Sequence, residues 1–69
     1  MKAQILVVDD ERLIRTTLER ALPTLGHQVE AADSAAGARA ALARKRFDLV
    51  VLDLKLGDGS GLDVLRRPA

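Results

Sequence analysis

The feature that most constrains this chain is a run of four aliphatic residues, Ile5-Leu6-Val7-Val8, closed by two aspartates, Asp9 and Asp10. A strand with one wet face alternates polar and apolar residues. A strand apolar at every position is covered on both faces, as in a parallel sheet. The pattern returns at residues 47–52, where Leu49-Val50-Val51-Leu52 is closed by Asp53. Two doubly buried strands, each ending in acid, already point to an α/β architecture.

What lies between them supports this. After Asp10, apolar residues recur at Leu13, Ile14, Leu18, Ala21, Leu22 and Leu25, a helical stripe. The spacing predicts a helix over 12–25, capped by Asp10, with Glu11 suited to its first turn. Pro23 distorts its last turn and Gly26 stops it. Residues 28–32 alternate as an edge strand does, with Val29 and Ala31 against Gln28 and Glu30. Asp33 or Ser34 caps a second helix over 35–46, with Ala38, Ala41 and Leu42 buried and Lys45 and Arg46 complementing the dipole at its end. Residues 54–60 read as a loop, and 61–67 begin a third helix with Leu62 and Leu65 inward. The order is β-α-β-α-β-α. Each link between strands exceeds the dozen or so residues of a parallel crossover, so helices cover both faces of the sheet.

Composition closes off other classes. There is no cysteine, hence no disulfide framework and no thiolate site. Eleven basic residues against ten acidic give a net charge of +1, and Phe47 is the only aromatic. That is neither the basic patch nor the stacking platform of a nucleic-acid binder. No apolar stretch approaches a membrane span or a signal-peptide core, so the expected location is the cytoplasm. Sixty-nine residues form one domain at most. Below roughly 70–80 residues, a fold usually needs a staple such as a metal or a partner chain.

The chemistry lies in the acids. Asp9 and Asp10 end the first strand and Asp53 ends the third. If these strands are parallel neighbours, the three carboxylates converge at one sheet edge, where open α/β sheets bind ligands. Three anions so close repel, and a hard divalent cation with oxygen ligands resolves the conflict. A carboxylate held beside it can act as a nucleophile toward phosphorus. The competing reading is that each aspartate only caps a helix or forms a turn. For Asp10 alone that reading has equal weight. For all three at matching strand ends it does not. Gly57, Gly59 and Gly61 resemble a phosphate loop, but the dinucleotide fingerprint needs glycine at 62, which is leucine. A phosphatase of the haloacid-dehalogenase kind would want an acid two residues after Asp53, where Lys55 stands. His27 lacks a ligand partner and reads as a turn residue.

The segment from Ile5 to Glu11, with Asp48-Leu49-Val50-Val51-Leu52-Asp53-Leu54-Lys55-Leu56-Gly57-Asp58-Gly59-Ser60-Gly61 some forty residues on, resembles the receiver domain of bacterial two-component response regulators. The resemblance implies a flavodoxin-like, doubly wound sheet with strand order 2-1-3. It implies that Asp53 accepts a phosphoryl group from a sensor histidine kinase or phosphotransfer protein, as a stoichiometric acceptor and not an enzyme with turnover. It further implies Mg²⁺ held by Asp10, Asp53 and the Lys55 backbone carbonyl, with Asp9 acting through water. Family members run nearly twice as long. Residues 1–69 therefore read as a truncated, N-terminal half of a receiver, lacking the later strands with their switch Ser or Thr and their Lys. The alternative function is a non-signalling fragment that only binds a partner. In the truncated sheet the third strand becomes an edge without the usual protective charge, which predicts self-association through it and partial exposure of the first helix's stripe.

Overall fold

The first strand, β1 (Gln4–Val8), is the centre of a three-stranded parallel sheet. The structure, a computed structural model, describes residues 2–53 and 55–64, with the side chains of 62 and 63 left aside. Along the chain, β1 is followed by α1 (Arg12–Thr24), β2 (Gln28–Ala32), α2 (Ala35–Arg44), β3 (Leu49–Leu52), β4 (Lys55–Leu56), β5 (Gly59–Ser60) and α3 (Gly61–Val64). The sheet order is β2-β1-β3, with Ile5 level with Val29 and Leu49, and Val8 level with Ala32 and Leu52. The expected α/β class, strand order and flanking helices are all present.

The core lies on both sides of β1. Leu6 and Val8 join Ala35, Ala38 and Ala41 of α2, Leu56 and Val64 in one buried cluster, with Val50, Leu52 and Phe47 packed against it. Ile5 and Val7 point to the opposite face, because side chains alternate along a strand. They are as well buried, and α1, which packs on β1 and β2, covers them. Alanines let α2 approach the sheet closely, at the cost of little apolar area per residue.

The helix ends differ from expectation in instructive ways. The residue that caps α1 is Glu11, not Asp10, and its side chain makes no cap bond. The Asp9 carboxylate instead accepts from the Glu11 N–H at 2.9 Å, an Asx turn that leads into a helix starting at Arg12 as expected. At the other end, Gly26 adopts a φ of 89°. Its N–H donates to Pro23 O at 3.0 Å and that of His27 to Leu22 O at 3.4 Å. These are the paired bonds of a Schellman stop, so Pro23 is accommodated in the last turn. Ser34 caps α2, accepting from the Gly37 N–H at 3.0 Å. That helix ends at Arg44, so Arg44 and not Lys45 or Arg46 occupies its last turn. Arg44 pairs there with Glu30. Lys45 lies over the Phe47 ring, 5.3 Å from its centroid.

Two expectations fail more clearly. Residues 55–60 are not an open loop: β4 and β5 form a minimal antiparallel hairpin, Lys55 opposite Ser60 and Leu56 opposite Gly59. Buried Leu56 anchors it. The third strand is four residues long and alternately exposed, not doubly buried. Leu49 and Val51 face the α1 side of the sheet uncovered. The α1 stripe is partly open, as expected: Leu13 is 76% and the C-cap Leu25 68% exposed, and no residue of α1 is fully buried. In the third helix, Val64 is buried, while the inward placement expected of Leu62 and Leu65 falls outside the described side chains.

Candidate functional site

The carboxyl ends of β1 and β3 lie side by side, and backbone bonds lock the residues that follow them. The Asp9 N–H donates to Ala32 O at 3.1 Å, and the Asp53 N–H to Val8 O at 2.9 Å. The ladder therefore runs one residue past each strand, and both acids inherit the register of the sheet. This fixes where their Cβ atoms start. Asp9, Asp10 and Asp53 each offer a carboxylate oxygen, and these oxygens all lie within 4.8 Å of one another. The three acids named by the sequence converge as expected. Asp9 and Asp53 are half-buried and Asp10 is exposed.

Local bonds orient two of these side chains. One oxygen of Asp9 is taken by the Glu11 N–H. One oxygen of Asp53 accepts from the Lys55 N–H at 3.1 Å. The second oxygen of each carboxylate lies outside these two bonds. Arg15, one turn into α1, reaches back and donates from Nη1 to the Asp9 carbonyl at 2.9 Å. It braces the β1–α1 connection from above. Sequence reading missed this contact, although an arginine in the first turn after a strand-end acid is placed to fold back on the strand.

The donor set suits a hard cation. Magnesium binds oxygen ligands octahedrally at about 2.1 Å, so opposite ligands stand roughly 4.2 Å apart. Three carboxylate oxygens spread over 4.8 Å can close on one such ion by small side-chain rotations. Nitrogen or sulfur ligands, which would favour zinc, do not occur in the cluster.

Asp58 carries no role in the sequence reading beyond its place in the expected 54–60 loop. It stands at the tip of the β4–β5 hairpin, and its two oxygens accept from the Ala35 N–H at 2.7 Å and the Ala36 N–H at 3.1 Å. These two amides, with Arg39 nearby, hold its carboxyl below the usual carboxylate range against a smaller opposing effect of burial. His27 is also more than a turn residue. Its Nδ1 accepts from the Ala3 N–H at 3.1 Å at the end of the sheet away from the acids. There, Asp48 likewise accepts from the Gln4 N–H at 2.7 Å.

Comparison with known proteins places this geometry. Residues 5–67 match the family described as the response regulator receiver domain. Over 66 residues, 96% of the chain, the sequence is 48% identical to the alginate biosynthesis transcriptional regulatory protein AlgB of Pseudomonas putida, and the match spans 15% of that protein. Over 65 residues, 94% of the chain, it is 42% identical to the DNA-binding transcriptional regulator NtrC of Azospirillum brasilense, spanning 14% of it. Among solved structures, the response regulator TrrA of Thermotoga maritima, in complex with Mg²⁺-BeF, superimposes with a TM-score of 0.83 at 39% identity. The superposition covers 93% of this chain and 55% of that one. A CheY-like receiver domain from Methanospirillum hungatei gives a TM-score of 0.89 at 32% identity, over 94% of this chain and 52% of that one. The chain thus spans about half of these receivers and a small part of the regulators. Among the described residues no helix is long and apolar enough to cross a membrane.

Proposed function

This chain belongs to the response regulator receiver domain family, and on that premise we propose that it is the phospho-acceptor part of a two-component relay, with Asp53 as the acceptor. The observation that carries this reading is the convergence of Asp9, Asp10 and Asp53 within 4.8 Å at the carboxyl edge of a parallel sheet. An Asp53 carboxylate oxygen attacks phosphorus, and the bond from phosphorus to the donor's imidazole nitrogen breaks. The electron pair stays on the imidazole, leaving an acyl phosphate on Asp53. The donor is a sensor histidine kinase or a phosphotransfer protein. Each chain takes one phosphoryl group, so the domain acts as an acceptor without turnover, in the cytoplasm.

The residues that would hold Mg²⁺ are Asp10, Asp53 and the Lys55 carbonyl, with Asp9 through water. Engagement of one Asp9 oxygen by the Glu11 amide favours that outer role. Bound there, the cation supplies charge neutralisation for the transferring phosphoryl oxygens. The chain's own part is to hold the attacking oxygen still. The Val8 carbonyl fixes the Asp53 backbone and the Lys55 N–H fixes its carboxylate. A second contact follows from β3, whose outer edge is unpaired among the described residues and whose Leu49 and Val51 are exposed on the α1 side of the sheet. A second copy of the chain pairs along it.

The direct test is incubation of the chain with Mg²⁺ and acetyl phosphate, followed by mass measurement. The expected result is one added phosphoryl mass in the wild type and none in Asp53→Asn. Equal labelling of the variant would overturn the assignment.

A further inference from the structure

The first amides of a helix have no partner inside it, and in α2 those of Ala35, Ala36 and Gly37 each find one outside the helical ladder. The Gly37 amide goes to the Ser34 hydroxyl at 3.0 Å, and the Ala38 amide opens the helical ladder on the Ser34 carbonyl, also at 3.0 Å. The Ala35 and Ala36 amides go to Asp58, 23 and 22 residues further along the chain. The local cap is thus Ser34. Asp58 adds a tie between α2 and a distant hairpin, and that hairpin is the segment that touches Asp53. Lys55 opens it and donates its N–H to the Asp53 carboxylate. Leu56 is buried against the α2 alanines. A continuous path therefore runs from the first turn of α2 through Asp58 and the Gly57–Asp58 turn to the Lys55 amide and the Asp53 carboxylate.

We propose that Asp58 is a positioning residue for Asp53: by clamping the hairpin to the first turn of α2 it holds the Lys55 N–H where it orients the acceptor carboxylate. This rests on the reading of Asp53 as the acceptor. Asp58 touches neither donor nor phosphorus, and its effect passes through the Lys55 amide. Attack on phosphorus needs an aligned oxygen, and small misplacements there are costly in rate. A carboxylate suits the role because both oxygens accept. An asparagine would set its NH₂ against one of the two amide donors.

The test compares the full chain with Asp58→Asn and Ser34→Ala. Both variants weaken the start of α2, but only the first releases the hairpin. Two quantities are measured: exchange of the Lys55 amide proton by NMR, and the initial rate of acetyl phosphate labelling at saturating Mg²⁺. Asp58→Asn is expected to speed Lys55 exchange and to slow labelling by about tenfold, within the range that misalignment causes. Ser34→Ala is expected to lower the melting temperature while leaving both quantities near wild type. Should Asp58→Asn fail to fold, Asp58→Glu keeps both acceptor oxygens on a longer arm and is expected to give an intermediate slowing. Wild-type Lys55 exchange in the Asp58 variant overturns the proposal. So does an equal loss of labelling in Ser34→Ala at matched stability. A wild-type chain that takes no label condemns the acceptor reading instead, and the Lys55 exchange comparison still decides the positioning role.

Discussion

β1 and β3 are nearly the same strand in sequence, Ile-Leu-Val-Val and Leu-Val-Val-Leu, each followed by aspartate. Their surroundings differ. Each of Ile5, Leu6, Val7 and Val8 in β1 is at most 3% exposed, whereas Leu49 and Val51 of β3 are 52% and 39% exposed. β1 has a strand on either side and helices on both faces. β3 has β1 on one side and keeps only the face with Val50 and Leu52 packed. An apolar string therefore specifies a strand that can be buried twice. Whether it is depends on neighbours that the string does not encode.

The contrast can be broken most strongly in the core. Leu6→Ala removes a fully buried side chain and should cost about 2–5 kcal/mol. Leu49→Ala, at a half-exposed site, should cost about 1 kcal/mol or less. Urea midpoints compare the two, and equal losses would mean that β3 is covered in solution. The next effect joins the strands. Mg²⁺ binding the acids that follow β1 and β3 should stabilise the folded chain by about 2.7 kcal/mol at a hundredfold excess over Kd. Asp10→Ala should abolish that gain, read as a melting temperature indifferent to Mg²⁺. Val51→Lys acts on association more than on stability. A charge on the exposed edge should lower the sedimentation-weighted mass at high protein concentration and change the unfolding midpoint little. A mass unaltered by the substitution, or a monomer throughout in the wild type, would rule out pairing through β3.

The smallest effect is acidic. The Ala35 amide, then the Ala36 amide, lower the Asp58 carboxyl below its ordinary range in the folded state. A group depressed on folding stabilises fully above its unfolded value, about 3.9, and that contribution is lost as pH falls through the lower folded value. The stability gap between wild type and Asp58→Asn should therefore be flat from pH 7 down to about pH 4 and narrow below it. A gap that closes between pH 7 and 5 would point to another group.

The parts legible in sequence were those with a strong period or a matched pair. Residues 28–32 form the edge strand that their alternation predicted. The three acids meet because two similar runs end in acid and pair in parallel. The hairpin was illegible because two-residue strands carry no period: Lys55-Leu56 and Gly59-Ser60 look like any polar loop. The Asp58 clamp was illegible because its partners are backbone amides more than twenty residues away, and amides leave no mark in a sequence. The α1 stripe announced a face correctly, but periodicity says which side of a helix is apolar and not what covers it. Leu13 and Leu25 show the difference.

The alanine face of α2 makes that helix brittle in one direction. At Ala35, Ala38 and Ala41 there is almost nothing to remove, so nearly every replacement adds volume to a contact that is already closed. Overfilling a packed interface displaces backbone instead of leaving a void. The displaced element would be the one whose first turn holds Asp58. Even Gly37, outside that contact, has little room to spare: a Cβ there would stand 3.2 Å from the Ser34 hydroxyl oxygen. Enlargements along α2 should thus be felt at the Asp53 end of the sheet before they are felt as unfolding. A screen that scored only folded protein would miss them.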